Sequence, residues 1–159
     1  MKQVSCWVFG VVLVLCVGLA VGSAQEAISA STIAQGPESG IRIPTNVVVR
    51  TEADWRALWR KHMTGLPQAQ TVPPRVDFFQ DMVIAVFAGE VPLGSRFGIL
   101  RVTAQQGRLI VLIRQLGSPG PEPGGGPPIT PFHIIRVARS LLPVVFVRPK
   151  LPQPIGPGN

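Results

Sequence analysis

The sequence predicts an α+β domain: one amphipathic helix packed on a largely antiparallel sheet, or an open barrel, of about five to six strands. Three observations carry that prediction. Thr51-Glu52-Ala53-Asp54 opens a stretch whose apolar residues recur at helical spacing. Met82 to Ala88 is almost continuously apolar, as in a strand covered on both faces. Phe97 to Ala104 and Arg108 to Leu116 flank Gln105-Gln106-Gly107 as the two arms of a β-hairpin.

The first element is not part of that domain. Lys2 precedes an apolar run from Val4 to Val21, and the run ends in Gly22-Ser23-Ala24 before polar Gln25-Glu26. Small residues fit the pockets of a signal peptidase, so residues 1–24 read as a secretory signal peptide cut after Ala24. The alternative is an uncleaved anchor, since a span needs roughly 20 apolar residues. Membrane contact is expected only in that case, because Leu15 before Cys16 makes a poor lipid-attachment signal. Cys6 and Cys16 both leave with the signal, and the mature chain then holds no disulfide or thiolate metal site. The 159 residues less 24 leave 135, enough for one domain that folds by packing alone.

Residues 25–40 are small and polar with no sustained period, and are expected to be a flexible N-terminal segment. The folded domain is placed at 41–148. Ile41 to Ile43 and Val47 to Arg50 are β-branched but broken by Pro44 and Asn46, which suits one or two edge strands. The helix is expected from about Glu52 to Met63, with Thr51 capping its first amides and Asp54 reaching back. Trp55, Leu58, Trp59 and His62 fall on one face, while Arg60 and Lys61 sit near the C-terminal end, where cations suit the dipole. Gly65-Leu66-Pro67 stops it. Gly117 to Pro128, rich in Pro and Gly, is expected to be a long mobile loop. Thr130 to Val137 and Val144 to Val147 are the last strands, and 149–159 is a Pro-rich disordered tail.

The chemistry the residues can offer is limited. His62 and His133 are the only histidines, and neither has a partner at metal-ligand spacing, so no zinc site is expected. His62 continues the apolar helix face as a hydrogen-bonded boundary histidine, and His133 lies between Phe132 and Ile134 in a strand. Asp77 and Asp81 read as turn formers or caps at the start of a strand. Glu90, closing the buried strand, is the carboxylate most open to partial desolvation. Ser95 and Ser118 lack a strand-to-helix nucleophile elbow, and Gly124-Gly125-Gly126 lacks the Lys and helix of a phosphate loop. No cofactor is implied. Net charge falls from +7 to +6 when Lys2 leaves, and the basic residues are mostly single arginines. Nucleic acid is not expected as a partner, since there is no Tyr and the aromatics sit in apolar segments. Trp55 and Trp59, one turn apart, read as core or as a stacking face for sugar.

Taken together, Val47 to Trp59, then Val76-Asp77-Phe78, Asp81 to Glu90, Thr130-Pro131-Phe132-His133-Ile134-Ile135-Arg136-Val137 and Pro143 to Val147 resemble the PrcB C-terminal domain family. The resemblance covers roughly Val47 to Val147. It implies an exported bacterial accessory domain, not an enzyme, associated with an exported protease or another envelope protein, and it supplies no catalytic residues. This sequence departs from the pattern in lacking a lipid-attachment signal and in the Pro/Gly richness before Thr130. The motif of interest is Trp55, Trp59, Glu90, Thr130, Pro131, Phe132 and His133. Pro131 removes a ladder donor at a strand start and can take a cis bond, which would fix how Phe132 enters the core. Glu90 and His133 are expected to meet at one end of the sheet. Two other functions compete: a binding module for glycan or another envelope ligand using Trp55, Trp59 and a basic strand face, and a protease inhibitor presenting the loop from Ser118 to Pro128.

Overall fold

The computed structural model describes residues 26–67, 72–116 and 126–149. The expected signal segment 1–24, most of the Pro/Gly-rich loop and most of the tail lie outside them.

The described residues form eight strands and one helix in three layers. The strands are β1 (Glu26–Ile28), β2 (Ala30–Gly36), β3 (Thr45–Val49), β4 (Asp81–Phe87), β5 (Arg96–Gln105), β6 (Arg108–Leu116), β7 (Phe132–Ala138) and β8 (Val144–Val147), with α1 (Glu52–Met63) between β3 and β4. One sheet runs β2-β7-β4-β3 and the other β1-β5-β6-β8. The α+β class therefore holds, but the single sheet or barrel of five to six strands is replaced by two four-stranded sheets. The first is antiparallel throughout, while β8 joins the second parallel to β6.

The middle layer explains the apolar run. From β4, Met82, Ile84 and Val86 pack toward the second sheet, with Phe97, Val102, Leu109, Val111 and Ile113 opposite. The alternate residues Val83, Ala85 and Phe87 pack toward α1 with Trp55, Leu58 and Trp59. A strand with side chains buried on both faces has no polar face to show, and Met82 to Phe87 are all 0% exposed.

The segment expected to be flexible holds two paired strands from Glu26 to Gly36: β1 pairs with β5, and β2 pairs with β7. Ser29 alone separates the two strands, so this stretch passes from one sheet to the other and forms an edge of each. Its small polar residues suit edges that are covered on one side at most, and a bulge between Thr32 and Ala34 re-aims the strand partway. The folded unit thus includes the strands from Glu26 onward and is not confined to residues after Ile41.

Helix α1 has the expected bounds. Thr51 Oγ1 accepts from the Asp54 amide at 3.2 Å and donates to Asp54 Oδ2 at 2.6 Å, so the carboxylate grips the capping hydroxyl. The hairpin turn also forms as expected. Gln106 and Gly107 both have positive φ, 48° and 70°, the type I′ geometry whose twist matches the arms. Gly89, at φ 73°, ends β4 where Pro44 lies against it; a Cβ there would stand 2.6 Å from Pro44 Cδ.

Candidate functional site

Because side chains alternate along a strand, Phe132 and His133 face opposite cores, and the expected motif splits into two groups. The first lies between α1 and the middle sheet. Trp55 and Trp59 are 1% and 2% exposed, with ring centroids 5.2 Å apart. Trp59 continues to His62 at 5.2 Å, and His62 lies 4.1 Å from Phe132 and 5.8 Å from Phe87. Trp55 Nε1 donates to the Pro74 carbonyl at 2.9 Å. Two tryptophans buried in an aromatic cluster present little ring face to a sugar, which weakens the glycan reading.

His62 is a core residue at 1% exposure and not a boundary one. Its Nδ1 is 2.9 Å from Ser39 Oγ, and Ser39 Oγ accepts from the Ile41 amide. Thr130 completes the group: Ser39 N donates to Thr130 Oγ1 at 2.7 Å, and Thr130 Oγ1 donates to the Ser39 carbonyl at 2.8 Å. Gly40 N donates to the His62 carbonyl at 2.7 Å, tying the same segment to the end of α1. Nε2 of His62 is buried with no hydrogen-bond partner among the described residues. Burial in this apolar setting lowers the His62 pKa to about 4, so the ring is neutral at pH 7. Ser39 is the residue that sequence reasoning missed. It lies in Glu38-Ser39-Gly40, where nothing distinguishes it from a loop serine.

The second group lies between the two sheets. His133 Nδ1 accepts from the Ile99 amide at 2.9 Å, and Nε2 is 3.0 Å from Thr32 Oγ1. Since Nδ1 accepts, the ring proton sits on Nε2 and points at Thr32. One imidazole thereby links β7 and β2 in the middle sheet to β5 in the other. Burial lowers its pKa as well. The ring needs room over β5, and Gly98 provides it: a Cβ there would stand 3.1 Å from His133 Nδ1.

Pro131 is in a trans bond, as is every described peptide. Its carbonyl accepts from the Ala88 amide at 2.9 Å, so the end of β4 and the start of β7 do meet in backbone. The side chains part there. Glu90 is exposed, not desolvated, and pairs with Arg42 at 2.6 Å, while His133 turns inward to Thr32 and Ile99. Asp77 behaves as the expected turn former, accepting from the Phe79 amide at 3.0 Å.

A cleft of about 870 Å³ opens between α1 and residues 72–77, lined by Trp55, Arg56, Arg60, Pro73, Arg75 and Asp77 among others. Arg56 is occupied by Glu52 one turn away. Its described lining offers guanidinium groups, a proline wall and the carboxylates of Glu52 and Asp77. Among the described residues no three His, Cys, Asp or Glu side chains gather at a metal-binding distance, and no helix is long and apolar enough to cross a membrane.

No family model, curated protein or solved structure matches the chain.

Proposed function

We propose that the chain is an exported accessory domain that works by binding another protein, in the manner the PrcB-like resemblance implies, with an exported protease or another envelope protein as partner. The observation that supports this most is how the polar residues of the motif are used. His133 spans two sheets, Thr130 and Ser39 hold His62, and Glu90 is taken by Arg42. Each of these groups serves the frame, and a rigid frame with open outer surfaces suits docking.

The test is gentle isolation of the tagged, exported chain from its own host's envelope and medium, followed by reconstitution with the recovered protein. A single exported protein, a protease above all, should be recovered in stoichiometric amount and be stabilised or retained by the chain. Recovery of no protein partner from either fraction contradicts the reading.

A further inference from the structure

The outward face of the β1-β5-β6-β8 sheet carries side chains that the frame does not use. Along β6, Leu109, Val111 and Ile113 point into the inter-sheet core, so Arg108, Ile110, Leu112 and Arg114 point out. Register extends the face sideways: Leu112 lies beside Arg101 of β5 and Val147 of β8, and Ile110 lies between Val145 of β8 and Thr103 of β5, the last of which is buried. Ile110, Leu112, Val145 and Val147 therefore form a contiguous, partly exposed apolar block. Arg101, Arg108 and Arg114 stand around it, all exposed.

The charge on this face is one-sided. The three ion pairs among the described residues, Arg42–Glu90, Arg56–Glu52 and Arg136–Asp81, all lie on the helix and the middle sheet or its loops. None of the three outward arginines takes part in one. The only carboxylate in the strands of this sheet, Glu26, stands opposite Ala104, whose side chain packs into the inter-sheet core. Glu26 is thus not on the outer face.

We infer that this face docks an acidic protein surface, with carboxylates meeting Arg101, Arg108 and Arg114 around an apolar contact on Ile110, Leu112, Val145 and Val147. An apolar centre inside a charged rim, with arginine as the cation, is the usual anatomy of a protein interface. Guanidinium groups also match carboxylates two bonds at a time, which lysine cannot do. Single-stranded nucleic acid is held by stacking on aromatic rings, and the described residues of this face include none. A bilayer would favour strongly projecting apolar side chains, and the most exposed of these, Phe79 and Leu141, are on loops outside this sheet.

This inference rests on the accessory reading and names the surface it uses. The test compares the full mature chain with Arg101→Glu/Arg108→Glu/Arg114→Glu, after unchanged circular dichroism and thermal midpoint show that both are folded. The probes are a synthetic peptide of glutamate, valine and serine, the same peptide with lysine for glutamate, phosphatidylglycerol vesicles, and single-stranded DNA. The wild type should bind the glutamate peptide, lose affinity as salt rises, and exceed the variant by about tenfold or more. Equal peptide affinity in the variant, no peptide binding, or tighter binding to vesicles or DNA overturns the inference. The two proposals fail separately. If wild type and variant recover the same exported partner equally well, the accessory role stands and this face is wrong. If the peptide result holds but no partner is ever recovered, the reverse is true.

Discussion

Phe132 and His133 sit side by side in β7, and one points at the aromatic cluster while the other crosses to the second sheet. Each then has a distinct energetic signature. His62 and His133 are held neutral, so protons bind the unfolded chain more readily than the folded one. For His62 the folded pKa of about 4 lies below the ordinary value of 6.5, and its contribution is complete above pH 6.5 and lost as pH falls toward 4. The loss from that ring alone is on the order of 3 kcal/mol. Urea unfolding at a series of pH values should show it, and His62→Phe, which keeps an aromatic ring against Phe132, should reduce the slope and leave the part that His133 carries. An unchanged slope in that variant would place the titrating group elsewhere. His133→Phe removes the acceptor for the Ile99 amide, while exposed Thr32 can turn to water. It should cost about 1–3 kcal/mol, and His133→Gln, which restores an acceptor, should recover part of that.

At the scale of elements, local chemistry decides where the chain turns and where it coils. Thr51→Ala deletes the cap of α1 and should lower stability by about 1 kcal/mol, read as a shifted urea midpoint at constant slope. Gln106→Asn places a residue that accepts positive φ more readily in the I′ turn and should raise stability by a few tenths of a kcal/mol or more. A loss there would mean that the Gln106 side chain makes a contact of its own. These two elements, with β4, were legible in the sequence because their signals are local: a hydroxyl followed by helical spacing, a two-residue turn, an unbroken apolar run. β1 and β2 were not. Glu26 to Gly36 carries no strong period, and its strands exist because β5 and β7 offer them open edges, a relation between residues about 80 and 100 apart. The parallel placement of β8 beside β6 is also non-local. The site suffered in the same way: Trp55, Trp59 and Phe132 could be recognised as core material, but the link from His62 to Thr130 runs through Ser39, in the stretch with least pattern.

At the scale of the whole molecule, the two sheets are joined by the continuous passage from β1 to β2 and by the imidazole of His133. A chain cut to begin at Ile41 lacks an edge strand of each sheet, the Ser39 hydroxyl and the Thr32 partner of His133. It should fail to unfold cooperatively on heating, whereas the chain from Gln25 should show one sharp transition; equal behaviour would return the domain boundary to Ile41. The division of labour, with polar residues inside holding the layers and arginines outside free to meet a partner, gives the molecule its proposed accessory character. That the conspicuous residues are frame and not a reactive centre is tested most directly by nitrogen-15 spectra of the two imidazoles across pH. The structure predicts His133 protonated on Nε2 alone, with its pKa lowered by burial, and His62 neutral until about pH 4. Either ring titrating near 6.5, with rapid tautomer exchange in an open site, would contradict it.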